Sequence, residues 1–261
     1  MSVRNWWKGT CFALVCIGAL SGCAPGQQPS SLSTAATATV IDEHANWKPL
    51  EQAILASSTA TLYKIKSSVS LKNGSMHTSY TAYGTVNLPD KMLLSVHENN
   101  FNISFFQQGQ VAYADENGTW THTDAVTNLD AYGGYVPLVQ TAAKQQLRLI
   151  QLKKVFVVNE YCNVYQVTVP QSLVQPPAFL EKLEDLQPVD TSSNQSIQYT
   201  FYVGQKTGKL REVQTQSINS VDEVGPVSTA TDTTFFDIDD EKNTEIQVPL
   251  ALAKTLEHDA Q

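Results

Sequence analysis

Between residues 60 and 123 the chain alternates apolar and polar side chains with a period of two, interrupted at short intervals by turn residues. That period sends successive side chains to opposite faces of a strand. Residues 60–71 and 77–88 read as long strands joined by Lys72-Asn73-Gly74-Ser75, and Pro89-Asp90 separates the second from a third at Lys91–Glu98. Asn99-Asn100 leads into residues 101–107, where Phe101, Ile103 and Phe105 recur at every second position. Gln108-Gly109 and Glu116-Asn117-Gly118 then turn the chain into residues 111–115 and 119–123. The pattern is that of an antiparallel meander.

The period then changes to three and four. Leu129, Tyr132, Val136, Val139, Ala143, Leu147 and Ile150 form one apolar stripe, which predicts a helix, irregular near Gly133-Gly134 and Pro137 and regular over 136–149. A shorter helix opens at Trp47-Lys48-Pro49-Leu50 and runs to about Ser57, with Asn46 as N-cap and Leu50, Ala53, Ile54 and Leu55 on its apolar side. Strands resume at 154–159 and 161–169. Residues 176–186 predict a small amphipathic helix that turns Phe179, Leu180, Leu183 and Leu186 inward. Residues 196–203 and 209–218 flank the turn Gln205-Lys206-Thr207-Gly208, and 229–238 is a last long strand before a short extended piece at 246–248. Residues 251–261 read as a tail or a terminal helical turn. Nine to eleven strands with two or three inserted helices make an α+β domain.

The first forty residues follow a different grammar. Arg4 and Lys8 precede a short uncharged run, residues 10–19, that is too brief to span a bilayer. This is the shape of an export signal. Leu20-Ser21-Gly22-Cys23 resembles the lipobox of bacterial lipoproteins, which implies a signal peptide over 1–22, cleavage before Cys23 and acylation of its thiol, a palmitate-type anchor in the cell membrane. Residues 24–39 carry no charge and are rich in Ser, Thr, Gln and Ala, so residues 23–40 read as a lipidated flexible linker, 41–250 as the folded domain and 251–261 as the tail. The expected place is the extracytoplasmic face of that membrane.

The formal net charge of −8 falls to −10 once Arg4 and Lys8 leave with the signal. Such an acidic domain lacks the electrostatic footprint for nucleic acid. Cys11 and Cys16 leave as well, so Cys162 is the only thiol besides Cys23 and reads as a small core residue, with a reactive or intermolecular thiol as the alternative. The acidic run 237–241 fails the calcium-loop pattern, because Lys242 takes the glycine position and Val248 that of the last glutamate. His44, His77, His97, His122 and His258 show no metal-ligand spacing. Neither a metal, a cofactor nor a catalytic constellation is expected, so the chain does not read as an enzyme.

The order of elements, together with Tyr83-Gly84-Thr85-Val86-Asn87-Leu88-Pro89-Asp90-Lys91-Met92, Gly118-Thr119-Trp120 and the stretch 199–211 with its Thr-Gly turn, resembles the LolA-like superfamily of lipoprotein carriers, including the LppX/LprG-like lipoproteins. The resemblance implies a strongly curved antiparallel sheet, an incomplete β-barrel, with helices covering its concave face. In characterised relatives the space between holds acyl chains. Met92, Leu94, Phe101, Ile103, Phe105, Tyr132, Val136, Val139, Tyr199 and Phe201 are the candidate cavity residues, with a closed core as the simpler alternative. Two functions compete: a lipid-anchored protein that binds a lipid or other hydrophobic ligand, and an envelope sensor or protein-interaction module that meets a membrane protein through Gly84, Asn99-Asn100 and residues 220–226.

Overall fold

The computed structural model describes residues 38–73, 76–98, 101–116, 118–126, 129–174, 196–221 and 225–253. Twelve strands form one antiparallel sheet: β1 (Val40–Asp42), β2 (Leu62–Asn73), β3 (Met76–Asn87), β4 (Lys91–Glu98), β5 (Phe101–Gln108), β6 (Val111–Glu116), β7 (Thr119–Thr123), β8 (Leu149–Val157), β9 (Glu160–Pro170), β10 (Ser196–Gly204), β11 (Leu210–Val221) and β12 (Gly225–Phe236). Their order is β1-β8-β9-β10-β11-β12-β2-β3-β4-β5-β6-β7, and the outer strands β1 and β7 do not pair with each other. Two ten-residue helices, α1 (Lys48–Ser57) and α2 (Tyr135–Lys144), pack together on one face.

The core shows that the sheet is curled. One continuous apolar cluster joins both helices to residues as far apart as Leu149 on β8 and Ala114 on β6. Nine strand spacings separate those two strands, about 43 Å in a flat sheet. Two helices side by side cover only about 20 Å. The sheet therefore wraps around them as an open barrel, with the helices on its concave face. Gly84 marks one tight place in that wrap: a Cβ there would lie 2.1 Å from the Leu93 carbonyl oxygen on the paired strand.

The convex face has its own small core. Phe106, Tyr113 and Trp120 from β5, β6 and β7 bury Ile246 and Leu252 of the C-terminal segment, with Leu93 at the margin. Residues 246–248 are not a strand, and Leu252, in a helical turn over 250–253, is fully buried.

Several expectations are corrected. The predicted helix over 136–149 ends at Lys144, and Leu149 and Ile150 already belong to β8. The Leu147 N–H donates to Ala142 O and the Gln146 N–H to Ala143 O, with Gln146 at φ 54°. This is the Schellman closure that usually takes glycine. Leu55 is 59% exposed, because Ser57 rather than Leu55 completes the buried side of α1. Asn46 does accept a hydrogen bond from the Lys48 N–H at 2.9 Å, yet Trp47 holds the N-cap position. The β8–β9 turn falls on Val158-Asn159, both at positive φ, as a two-residue primed hairpin turn needs. The predicted helix over 176–186 and the turn residues Gly74-Ser75 and Asn99-Asn100 lie outside the described residues.

Candidate functional site

Register fixes which side chains face the helices. Phe201 pairs with Val213 and Tyr165, Tyr199 with Thr215 and Val167, Met92 with Val86, and Phe105 with Leu94 and Ala114. Each of these sets points into the concave side. Met92, Phe105, Tyr132, Val139, Tyr199 and Phe201 all lie in the continuous cluster, with Leu94 and Val136 packed at its margin. The structure thus brings together eight of the ten predicted residues. Ile103 is buried but stands outside that cluster, and the Phe101 side chain lies outside the described residues.

At the centre is an aromatic stack that periodicity alone did not single out. The Tyr132 ring lies on Phe235 at 4.2 Å and meets Tyr63 edge-on at 5.0 Å. The Tyr63 hydroxyl accepts from the Ala131 N–H at 3.0 Å and donates to Leu129 O at 3.4 Å, which ties the loop before α2 to β2. Tyr132 is fully buried and its hydroxyl has no hydrogen-bond partner. Burial raises the pKa of both phenols well above the ordinary range. It pushes Tyr199 up to about 12. None of these hydroxyls ionises near neutral pH, so the interior offers apolar surface and neutral donors rather than an acid–base pair.

Between α1 and α2 a groove of about 180 Å³ is lined by Ile54, Leu55, Val136 and Val139, with Glu51, Gln52 and Gln140 at its rim. Val136 and Val139 connect it to the predicted set. Leu55, turned outward on α1, is part of this groove and not of the core.

Two carboxylates near the lower end of the sheet behave in opposite ways. Glu160 accepts from Arg211 Nε at 2.6 Å, Thr207 Oγ1 at 2.9 Å and the Lys206 and Thr207 N–H groups at 2.9 and 3.2 Å. Burial alone would raise its pKa, but these bonds outweigh that and hold it below the ordinary range. A Cβ on Gly204 would lie 2.5 Å from this carboxylate, so glycine makes its room. Glu212 is also buried, but its carboxylate neighbour is Asp232, and Gln214 Nε2 donates to both, at 2.7 and 3.4 Å. Burial first, and then the Asp232 charge, raises Glu212 to about 7. Sequence reading missed both, since nothing local marks either glutamate as buried.

Cys162 is fully buried beside this region, as expected of a core thiol, and burial pushes it up to about 11. Among the described residues no group of His, Cys, Asp or Glu could hold a metal ion, and no helix is long and apolar enough to cross a membrane.

No family model matches the chain, and no curated protein matches its sequence. Among solved structures, LprF from Mycobacterium bovis aligns over 78% of this chain and 96% of its own, at 9% identity and a TM-score of 0.46. A structure of the MucA/MucB complex of Pseudomonas aeruginosa aligns over 77% of this chain at 8% identity and a TM-score of 0.34, and this chain covers 60% of it. The LolA superfamily protein NE2245 from Nitrosomonas europaea aligns over 77% of this chain and 94% of its own, at 9% identity and a TM-score of 0.26. At these identities the likeness concerns the fold alone.

Proposed function

We propose that the chain is an extracytoplasmic lipoprotein, cut before Cys23 and anchored in the cell membrane through it, that holds a lipid or another hydrophobic ligand against the concave face of its sheet. The observation that carries the ligand reading is a mismatch in length. β2, β3, β11 and β12 each have twelve residues, about 40 Å of strand, whereas α1 and α2 are ten-residue helices of about 15 Å. Beyond the cluster that the helices close, the concave face continues through Ser67, Val69, Ala82, Val96, Ile103 and Thr231. These side chains are small or apolar, and Tyr80, cross-strand from Val69, shares their face. An acyl chain makes no directional demands, so such a wall suits it better than a polar ligand.

On this reading Met92, Leu94, Phe101, Ile103, Phe105, Tyr132, Val136, Val139, Tyr199 and Phe201 form the inner wall. The groove between α1 and α2 lies where a small shift of the helices opens that wall.

Two measurements test the proposal. Mass spectrometry of the full chain taken from its own membranes should find a diacylglycerol thioether on an N-terminal Cys23 and a co-purifying apolar molecule. Ala82→Trp, which fills the wall beyond the helices, should lose the co-purified molecule while the protein stays folded. Protein that emerges from native membranes with no apolar molecule, and whose melting is unmoved by added lipid, would sink the ligand reading.

A further inference from the structure

The tip of the β8–β9 hairpin breaks the rule that the rest of the sheet obeys. Phe156 is 62% exposed and Tyr161 54%, and Val155 beside them is also exposed. The two aromatic residues are cross-strand partners in register, with ring centroids 5.3 Å apart, edge to face. Lys154 Nζ sits 5.3 Å over the Tyr161 ring. Lys153 and Lys154 are exposed, as is Lys206 on the neighbouring β10–β11 turn, where the Gln205 N–H donates to Tyr161 O at 2.8 Å. The ion pairs among the described residues are Lys64–Asp237, Arg148–Glu43, Lys209–Asp239 and Arg211–Glu160, so these three lysines are left uncommitted. In a chain of net charge −8 they form a local cationic patch around exposed aromatic surface.

This tip is braced. Both turn residues hold positive φ, and Val158 does so despite its branched side chain. Glu160, next to Tyr161, is clamped by Arg211 and by the β10–β11 turn. An exposed apolar patch rimmed by polar residues marks a surface that meets a protein or a membrane.

The chain's own path says which of the two it meets. β1 runs antiparallel to β8, and the Lys153 N–H donates to Thr39 O at 2.8 Å. Moving from Asp42 back toward Ala38 therefore moves along β8 toward Phe156. The segment that links Cys23 to the domain leaves it beside the tip, with exposed Val40 and Ile41 at the same edge. From Cys23 to Ala38 is fifteen residues, which at full stretch reach about 50 Å. We infer that the β8–β9 tip is a docking surface for the anionic lipid–water interface, with Phe156 and Tyr161 entering the headgroup layer and Lys153, Lys154 and Lys206 meeting its negative charge. Tyrosine suits that depth, with one end apolar and the other wet. Lysines beside it gain from an anionic leaflet, and salt weakens that gain.

The orientation rests on the Cys23 anchor proposed above, and the test separates the two. The full chain is purified from membranes and placed on vesicles of phosphatidylcholine with or without phosphatidylglycerol. A polarity-sensitive thiol dye is attached to Phe156→Cys or, as control, to Thr168→Cys, an exposed position at the far end of β9. Cys162 is buried, so wild-type protein takes up dye only if Cys23 is free or the signal with Cys11 and Cys16 is still attached. We expect quenching by nitroxide-labelled lipid chains to be several-fold stronger at position 156 than at 168. The Lys153→Glu, Lys154→Glu variant should erase that difference on phosphatidylglycerol vesicles. Equal quenching at both positions on protein that floats with the vesicles overturns the proposal. So does a position 156 that cross-links in cells to a protein rather than to lipid. Dye uptake by wild-type protein overturns the anchor alone, and stronger lipid quenching at 156 on added vesicles would then still support the tip.

Discussion

Phe201 and Phe156 occupy similar settings and meet opposite fates. Each sits on an antiparallel strand, and each has an aromatic neighbour: Tyr199 parallel to Phe201 at 5.9 Å, and Tyr161 edge-on to Phe156 at 5.3 Å. Phe201 is fully buried and Phe156 is 62% exposed. Aromatic pairing is therefore not what buries a ring in this molecule. Cover is. Phe201 lies beneath Tyr135 of α2, at 6.1 Å and nearly perpendicular, whereas Phe156 belongs to neither apolar cluster.

The largest expected effect follows from that cover. Phe201→Ala removes a ring from the closed part of the concave face and should destabilise the fold by roughly 3–5 kcal/mol. Urea unfolding of the two proteins side by side measures it. A loss below 1 kcal/mol would mean that the interior is loosely filled, and the contrast with the tip would dissolve.

Glu160 joins the two regions, since it braces the tip against β10 and β11. Glu160→Gln leaves the Arg211 guanidinium largely buried with no counter-charge, at a cost of about 3 kcal/mol. Adding Arg211→Met should recover part of that loss. Hydrogen exchange at the β8–β9 tip should accelerate in the single variant more than anywhere beneath the helices.

Glu212 sharpens the contrast by pH. In the unfolded chain an ordinary glutamate titrates near 4.5, and in the fold Glu212 is raised to about 7. The folded state thus binds the extra proton between those values, so its stability falls as pH rises from about 4.5 to 7 and then levels off. The effect amounts to about 3 kcal/mol. Glu160 has the opposite sign: its pKa is lowered, so its contribution is present at neutral pH and is lost only as pH falls below the ordinary carboxylate range. Glu212→Gln should flatten the decline between pH 5 and 7 in thermal melts across pH, whereas Glu160→Gln should leave that window unchanged and remove the acid-side loss.

The meander was legible because its turns are written in local chemistry. β4 and β7 begin and end where the turn residues around them require, and the alternation along β5 and β10 assigns their inner faces. The end of α2 was not legible. The apolar stripe runs on through Leu147 and Ile150, and a glutamine in the left-handed region gives no warning that the helix has closed. Val158 misled in the same way, as a strand-forming residue placed in a turn. The wall residues were mostly found because an alternating strand has one inner face. Nothing local told Phe201 from Phe156, because cover depends on which distant strands curl around which helix. Leu252 belongs here too: its burial on Phe106, Tyr113 and Trp120 depends on where the chain returns after β12.

Tyr132→Phe should be close to neutral or stabilise by up to about 1 kcal/mol, because the lost hydroxyl is buried without a partner. If the variant is destabilised instead, a water or a ligand headgroup completes that hydroxyl in solution, and the closed part of the interior is wetter than its packing suggests.

The smallest expected effect belongs to the tip. Phe156→Ala removes no buried contact with either apolar cluster, and its edge-on partner Tyr161 is itself mostly in water. An exposed aromatic pair of this kind contributes about 0.5 kcal/mol at most. The turn geometry and the Glu160 clamp remain, so the backbone should hold its place. Unfolding of Phe156→Ala should therefore overlay that of the native chain within error while Phe201→Ala unfolds far earlier. A loss of 2 kcal/mol or more at Phe156 would show that the ring is covered by some other part of the molecule in solution. It would then be core like Phe201, and its exposure would no longer call for a partner.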